Sequence, residues 1–287
     1  MTTKTLEERL NIGKNRNEPT VSVILATKNR PKKLEKSIES VLGQTYRDFE
    51  LIVVDGSDND YSAKIVKTFA SHDPRVKYMV DGGNGPAAAR NIGLYGSGGR
   101  YINFHDDDII MKPDKLDVLV DGFDGEKEDT GVVYSSHIEV SKRGTRTVPT
   151  ALKKSYSTDA AYIHKKLTKG CVVDSSSAMI KRECFDKSGM FDEDLKTAED
   201  WDMYLRIARN YKFKFIDRPL YTSYLGTDNL RFDMTKFKAA NRIIREKTAD
   251  YMKNRGTLQY LKYRLSTYYA AGAFYLLYVA VKGNAIK

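Results

Sequence analysis

The sequence predicts an α/β protein with a mostly parallel, Rossmann-like sheet flanked by helices, followed by a helical extension at the C-terminal end. Three observations predict this architecture. Short β-branched runs alternate with amphipathic segments of about ten to fifteen residues, the pattern of βαβ units. Several runs are apolar throughout, which is typical of strands buried on both faces. Acidic residues follow these runs directly, at the sheet edge where such folds bind ligands.

The composition is that of a globular protein with one large domain and an appendage. The chain has 287 residues, of which 41% are hydrophobic and 11% aromatic. Its two cysteines, Cys171 and Cys184, form no CxxC pair, so we expect neither a disulfide framework nor a zinc site. Residues 1–19 are polar and contain no apolar run, so they predict no signal peptide or anchor and favour a cytoplasmic location.

The net charge of +10 is concentrated at the C-terminal end. Residues 234–287 carry eleven Lys or Arg and two acids, whereas residues 20–233 are close to neutral and contain an acidic candidate site. A neutral body with an acidic site argues against a nucleic-acid partner. We therefore divide the chain into a polar N-terminal segment (1–19), an α/β domain (20–233) and a basic, Tyr-rich helical tail (234–287).

The first half of the domain alternates strands and helices regularly. The predicted strands are Thr20–Ala26, Phe49–Val54, Val76–Val80 and Tyr101–Phe104. Predicted helices follow Pro31, Pro86 and Pro113, and Ile65, Val66 and Phe69 mark another. Pro31 suits a first helical turn, and apolar residues then recur at helical spacing up to Gly43. Residues 87–96 are small, so this helix is expected to lie close to its neighbours.

The second half is less regular. Residues 131–140, 175–180, 213–216 and 220–224 are predicted strands, and a helix is predicted around Cys184. Residues 197–211 form a predicted helix because Trp201, Leu205 and Ala208 share one face. Residues 141–170 are basic and poorly periodic, so we predict a loop-rich region there.

The tail from Met234 predicts two helices that separate near Arg255–Gly256. Residues 265–281 carry no charge, but this run is at the short limit for a membrane span and is preceded by tyrosines. Two interpretations remain open. The tail can lie on an anionic membrane surface, making the protein peripheral at the cytoplasmic face. It can also pack on the body or on another subunit.

Three adjacent carboxylates, Asp106, Asp107 and Asp108, follow the Tyr101 strand directly. Each alone is explained as a turn former or helix cap. Together they repel one another unless a cation lies among them. Hard divalent cations take carboxylate oxygens together with substrate phosphate oxygens. The cluster therefore predicts a metal site for a phosphate-bearing substrate.

Two further acidic positions are candidate site residues. Asp55 ends the second strand at the same sheet edge, where a carboxylate can accept hydrogen bonds from a nucleobase; the alternative is a turn aspartate. Glu199 and Asp200 begin the Trp201 helix, where capping and the helix dipole explain acids equally well.

These motifs, in this order, resemble family 2 glycosyltransferases of the GT-A fold over roughly residues 20–225. The resemblance rests on Val21–Arg30 as the opening strand and turn, Leu51–Ser57, Ala89–Gly93, His105–Asp108 with Pro113–Leu116 as the DxD segment, and Gly189–Glu193 with Glu199–Asp202. One departure is that residues 225–227 lack the His or Arg that many relatives carry there, which puts the lid over the diphosphate in doubt.

The resemblance implies metal-dependent inverting sugar transfer from a nucleotide sugar, expected to be UDP-linked, to a hydroxyl on a saccharide or lipid-linked acceptor. Asp200 is the implied general base, and Asp106 and Asp108 the implied ligands of Mg²⁺ or Mn²⁺. The residues implied in donor binding are Thr27, Asn29, Arg30, Asp55, Ser57, Arg90, Asp106 and Asp107.

Two other functions remain open. A sugar-phosphate nucleotidyltransferase uses a similar sheet but carries a Gly-rich loop after the first strand, and residues 27–31 contain no Gly. A non-catalytic, sugar-binding, membrane-associated protein would use these acids only as caps.

Overall fold

The computed structural model of the protein describes residues 18–126, 128–142, 144–148, 160–224 and 234–263. Strands and helices alternate along the first half of this part of the chain. The elements are β1 (Val21–Thr27), α1 (Pro31–Leu42), β2 (Phe49–Asp55), α2 (Tyr61–His72), β3 (Val76–Val80), α3 (Pro86–Gly96), β4 (Tyr101–Asp106), β5 (Ile109–Met111), α4 (Lys115–Asp121), β6 (Thr130–Ser141), β7 (Gly144–Val148), α5 (Ala160–Leu167), β8 (Ala178–Lys181), α6 (Glu183–Ser188), α7 (Glu199–Ile207), β9 (Lys212–Tyr224) and α8 (Met234–Asn254).

The strands form one mixed sheet in the order β3-β2-β1-β4-β8-β6-β9-β5, and β7 pairs with β6. Strands β1 to β4 are parallel to one another, whereas β8 is antiparallel to both β4 and β6. The predicted α/β class with a mostly parallel sheet is confirmed. In the register of β1, Thr27 lies beside Asp55 and Ala26 lies beside Asp106. The predicted acidic positions therefore meet at one edge of the sheet.

Each face of the parallel half is covered by its own hydrophobic core. Ile24, Ile52 and Val54 belong to one core, together with helices α3 and α7. Val23, Leu25 and Val53 belong to the other, together with α1 and α4. Neighbouring residues of a strand point to opposite faces, so a strand covered on both sides is apolar at every position. This explains the uninterrupted apolar runs of β1 and β2.

Helix α3 lies unusually close to the sheet. A Cβ atom on Gly93 would stand 2.3 Å from Ile24 Cγ2, and Ala87, Ala88 and Ala89 are also buried. Only a small side chain permits this approach. The packing places Arg90 of α3 beside the end of β4.

The prediction of a loop-rich 141–170 region was wrong for its described parts. Strands β6 and β7 form a hairpin in which Ser141 pairs with Gly144. Residues 160–167 form α5, and its Ile163 and Leu167 are buried one turn apart. The hairpin is stabilised by cross-strand hydrogen bonds, and its sequence lacks the apolar alternation that would predict strands. Helix α5 is too short to give a periodic pattern.

Three other elements differ from the prediction. Strand β5 was not predicted, because three residues give no pattern and the strand depends on pairing with β9. The two strands predicted at 213–224 are one strand with a register shift near Pro219, a residue that strands accept mainly at such irregularities. Helix α7 runs from Glu199 to Ile207 rather than from 197 to 211, and tight turns follow it.

The described part of the tail packs on the domain. Ala240, Ile244 and Thr248 are buried, and the hydroxyl of Tyr263, in a helical segment that begins at 257, donates to the Arg245 carbonyl at 3.2 Å. The predicted break near Arg255–Gly256 is present. Among the described helices, none combines the length and the hydropathy that crossing a bilayer requires. The charge-free run 265–281 and residues 225–227 lie outside the described residues, so membrane association stays a prediction.

Candidate active site

A cleft of about 1460 Å³ lies over the carboxyl ends of the parallel strands. Among the predicted site residues, its described lining contains Thr27, Arg30, Arg90, Asp106, Asp107, Asp108 and Asp200. Asn29, Asp55 and Ser57 are absent from that lining and stand behind it. The fold thus brings residues from β1, α3, β4 and α7 to one cavity.

Asp55 is buried at the end of β2, with an exposed fraction of 2%. One carboxylate oxygen accepts a hydrogen bond from the Ser57 backbone N–H at 2.9 Å, and the other accepts one from the Tyr78 hydroxyl at 3.0 Å. Burial, together with the bond to Asp55, raises the pKa of Tyr78 to about 12. Asp55 therefore fixes the wall of the cleft from behind.

Asn29 and Ser57 join the loops that follow β1 and β2. The Asn29 backbone N–H donates to Ser57 Oγ at 2.8 Å, and its side chain exchanges hydrogen bonds with Asp58. Asn29 has φ of 57°, a left-handed conformation that Asn tolerates better than most residues. These two predicted binding residues hold the loops together, and neighbouring Lys28 and Gly56 face the cleft.

Asp81 is a cleft residue that the sequence analysis missed. It follows β3 directly, is buried, and accepts a hydrogen bond from the Gly83 backbone N–H at 2.7 Å. A Cβ atom on Gly56 would stand 2.5 Å from Asp81 Oδ1, so the two loops meet only because residue 56 is glycine. The available signal was the position of an aspartate immediately after a predicted strand, the same signal that identified Asp55.

The three adjacent aspartates form the turn between β4 and β5. Asp107 is buried, accepts from Thr27 Oγ1 at 2.8 Å and pairs with Arg30 at 3.1 Å. Burial raises the pKa of Asp107, and Arg30 and Thr27 partly offset that effect. Asp108 lies 3.7 Å from Arg30, and its carbonyl accepts from the Tyr224 backbone N–H of β9. The turn is thus anchored by β1 on one side and by β9 on the other.

Arg90 connects this turn to the start of α7. Its guanidinium pairs with Asp106 at 3.0 Å and with Glu199. Burial alone would lower the pKa of Arg90, but the carboxylates of Glu199 and Asp106 raise it above its ordinary value. A buried cation between two acids holds both carboxylates in fixed positions.

Asp200 is next to Glu199 and faces the cleft. Its carboxylate accepts a hydrogen bond from the Trp201 backbone N–H at 2.7 Å. Burial, reinforced by the charge of Glu199, raises the pKa of Asp200 to about 7, against the opposing effect of Arg90. A carboxyl group that ionises near neutral pH suits a general base.

The entry to α7 is fixed by unusual local structure. Ala198, which precedes the helix, has φ of 58°, a conformation that costs a residue with a Cβ atom about 1–2 kcal/mol. Trp201 Nε1 donates to the Leu167 carbonyl at 2.6 Å, which joins α7 to α5. Strained backbone of this kind often accompanies functional residues.

Asp174 and Lys115 were also missed by the sequence analysis. Asp174 faces the cleft and accepts from the Tyr221 hydroxyl at 2.8 Å. Lys115 is fully buried and donates to the Ser176 carbonyl at 2.7 Å; burial lowers its pKa to about 7. Asp174 lies four residues after the region predicted as loop-rich, and nothing in the sequence distinguishes Lys115 from a surface lysine.

The residues present fit a divalent cation whose coordination a substrate completes. Within the described ranges, no three His, Cys, Asp or Glu side chains converge to form a full protein cage. Asp106 and Asp108 nevertheless line the same cleft and offer hard oxygen ligands. Mg²⁺ is usually held by one or two carboxylates together with substrate phosphates, so this donor set is sufficient.

Comparisons with known proteins identify the family of the chain. Residues 22–189 match the family described as Glycosyl transferase family 2. The chondroitin synthase of Escherichia coli is 26% identical over 231 residues, which are 78% of this chain and 32% of that protein. The chain spans about a third of the length of the first curated relatives that it matches.

Two solved structures have a similar fold. TarS of S. aureus, in complex with UDP-GlcNAc, gives a TM-score of 0.60 at 19% identity and covers 78% of this chain and 65% of that chain. The mannosyltransferase PcManGT of Pyrobaculum calidifontis, in complex with GDP-Man and Mn²⁺, gives a TM-score of 0.57 at 17% identity and covers 93% of this chain and 87% of that chain. The family match over more than half of the chain, together with this fold, establishes that the chain belongs to glycosyl transferase family 2 and has the GT-A fold.

Proposed function

We propose that this chain transfers a sugar, with inversion, from a nucleotide-sugar donor to a hydroxyl group of an acceptor. The observation that carries the proposal is the connection of Asp106 to the start of α7 through Arg90, which places the aspartate turn and Asp200 on one cleft. A donor-binding acid and a general base on the same cleft are what a single-displacement transfer requires. Family membership supports the same reaction class.

The proposed donor is a UDP-linked sugar. TarS is similar in fold and was solved with UDP-GlcNAc, whereas PcManGT was solved with GDP-Man. The cleft wall near β2 and β3 contains Gly56 and Asp81 at its surface and Asp55 behind it. The Asp81 carboxylate at that surface can accept a hydrogen bond from an N–H group of a nucleobase, and Asp55 supports the wall from behind. Arg30, Asp106 and Asp107 border the part of the cleft proposed for ribose and diphosphate.

We assign Asp106 and Asp108 as ligands of Mg²⁺ or Mn²⁺. When bound, the metal supplies Lewis-acid stabilisation of the negative charge that develops on the leaving diphosphate. Arg90 pairs with Asp106 at 3.0 Å, and Arg30 lies 3.7 Å from Asp108. These arginines keep the carboxylates oriented toward the cleft and reduce their mutual repulsion.

Asp200 acts as the general base in the proposed mechanism. Its carboxylate takes the proton of the acceptor hydroxyl while that oxygen forms a bond to the anomeric carbon of the donor sugar. The bond between the anomeric carbon and the diphosphate breaks, and the nucleoside diphosphate leaves on the opposite face. Such a base is typically worth about 10²- to 10⁴-fold in rate.

A nucleoside diphosphate release assay tests the proposal. The full chain is incubated with Mn²⁺ and UDP-, GDP- or ADP-linked sugars, and separately with Mn²⁺, a sugar phosphate and a nucleoside triphosphate. Released diphosphate and pyrophosphate are both measured. We expect release of UDP from one or more UDP-sugars. Release of pyrophosphate from a sugar phosphate and a nucleoside triphosphate would instead support a nucleotidyltransferase, and no turnover of any donor would support a binding protein.

A further inference from the structure

Helix α8 forms one wall of the cleft. Met234, Phe237, Lys238, Asn241 and Arg245 line the cavity from one face of the helix, and Lys236 near the helix start also lines it. Ala240, Ile244 and Thr248 lie on another face and are buried against the domain. The tail helix is thus a structural part of the cleft.

Three cations on this side of the cleft are not neutralised by carboxylates of the described residues. Lys169 and Lys196 are exposed, and Arg245 is half-buried. Lys196 donates to the Glu193 carbonyl and Arg245 to the Asn241 side chain, both of which are uncharged groups. In contrast, Lys247 of the same helix pairs with Asp192 and Asp202, and Arg242 pairs with Glu246.

These three cations line the same cleft as the start of α7. Lys169 follows Leu167, whose carbonyl is bound by Trp201. Lys196 precedes Ala198 at the same helix start. Arg245 lies on α8, which Lys247 fixes to Asp202 at 3.3 Å. The cations therefore border the region that an acceptor must cross to reach Asp200.

The part of the cleft beside the β4–β5 turn has the reverse charge. Asp81 and the three aspartates of the β4–β5 turn line it, and its arginines, Arg30 and Arg90, are occupied by carboxylates. A bound divalent cation would serve the donor diphosphate there. Binding of the donor diphosphate therefore does not use the cations near α7.

We propose that this wall is an acceptor subsite for a negatively charged chain, one that carries carboxylate or phosphate groups beside the accepting hydroxyl. This inference rests on the proposed transfer reaction, because it assigns the side of Asp200 from which the acceptor enters. Lys169, Lys196 and Arg245 would each contact an anionic group. Contacts of exposed charges are weak singly and are screened by salt.

Calorimetry with matched pairs of acceptor probes tests the proposal in the full chain, with UDP and Mn²⁺ present. One pair is an unsulfated tetrasaccharide containing glucuronic acid and its carboxyl-reduced, neutral counterpart. The other pair is a glycerol phosphate trimer and glycerol. We expect at least one anionic probe to bind more tightly than its neutral counterpart by about fivefold or more at low salt, and the difference to shrink at high salt.

Substitutions then locate the effect. Lys169→Gln, Lys196→Gln and Arg245→Gln should each weaken binding of the anionic probe about two- to fivefold and leave UDP affinity unchanged. Arg242→Gln on the same helix and Lys165→Gln on α5, which do not line the cleft, are matched controls that should change neither affinity.

Equal affinity for charged and neutral probes would overturn the proposal, as would weaker binding of the anionic probe in the control variants. A fall in UDP affinity in the three cleft variants would also overturn it, because the cations would then serve the donor. If every nucleotide sugar fails to turn over while selective anion binding persists, the transfer proposal fails and the anionic subsite stands.

Discussion

Arg90 pairs with Glu199, a residue 109 positions later in the sequence, and both side chains are buried. Because Arg90 also holds Asp106 at 3.0 Å, one cation fixes the relative positions of the aspartate turn and the helix that carries Asp200. The donor and acceptor sides of the cleft are therefore coupled by a single side chain.

Arg90→Met should destabilise the protein strongly. Removing one partner of a buried ion pair leaves the other charge uncompensated, which costs about 3–5 kcal/mol. Arg90→Lys keeps the charge but cannot reach both carboxylates in the same geometry, so we expect a smaller loss of folding stability. Urea denaturation measures both, and Arg242→Met, which removes an exposed pair, is the control. A loss for Arg90→Met no larger than for the control would show that the bridge does not support the fold.

Asp108→Asn should abolish the dependence of UDP binding on Mn²⁺ while the fold is retained. The substitution removes a negative ligand but keeps the size of the side chain. Calorimetry with and without Mn²⁺ measures the effect, and Asp124→Asn at an exposed turn is the control. Wild-type UDP affinity that is the same with and without the metal would remove Asp106 and Asp108 from the proposed metal site.

Asp200→Asn should lower sugar transfer by about two orders of magnitude or more and leave UDP affinity intact, because a general base contributes on that scale. Asp202→Asn is a matched control on the same helix. Asp202 pairs with Arg206 at 2.8 Å and with Lys247, so its loss should lower stability more than transfer. Transfer within a few fold of wild type in Asp200→Asn would exclude Asp200 as the base.

The raised pKa of Asp200 predicts two pH effects. Transfer should fall as the pH drops through about 7, because the carboxylate must be ionised to accept a proton. Between its unfolded pKa of about 4 and its folded pKa, the unfolded state binds fewer protons, so this group makes the protein less stable as the pH rises. Relative to Asp200→Asn, the wild type should therefore be more stable at pH 5 than at pH 8. Unfolding of both proteins at the two pH values measures the difference, and a constant difference would contradict the raised pKa.

Gly93→Ala should destabilise the fold by about 1–3 kcal/mol, the usual cost of an extra methyl group in a packed core. The added Cβ would stand 2.3 Å from Ile24 Cγ2, so α3 must move away from the sheet. Gly98→Ala is the control, since its Cβ would meet nothing closer than 3.5 Å. Thermal unfolding compares the two, and equal melting temperatures would show that α3 relaxes freely.

The parallel half of the fold was predictable because short, continuous stretches of sequence determine its strands and turns. Strands β1 and β2 are buried on both faces, and the acids at the sheet edge stand where β2 and β4 end, at Asp55 and Asp106. Asp81 satisfied the same rule and could have been found by applying it to β3. The small residues of α3 correctly predicted its close approach to the sheet.

The rest depends on contacts between distant residues. Strand β5 exists through its pairing with β9, and α5 is secured by Trp201, which comes 34 residues after Leu167. The pairing of Arg90 with Glu199 and the burial of Lys115 also follow from tertiary packing. No pattern within a short window of sequence contains such information, so the acceptor side of the cleft was the part that sequence analysis described least well.

Strand β9 has a consequence for how the protein reaches its native state. It pairs with β6 and, through Ser223 and Ile109, with β5, so it joins segments that are far apart in the chain. Non-local strand pairings form slowly because closing long loops costs entropy. During synthesis, β1 to β4 emerge first and can associate, but the turn that contains Asp108 gains its anchor only after Tyr224 has been made. We therefore expect the donor side to order in two stages, with its acidic turn completed among the last steps of folding.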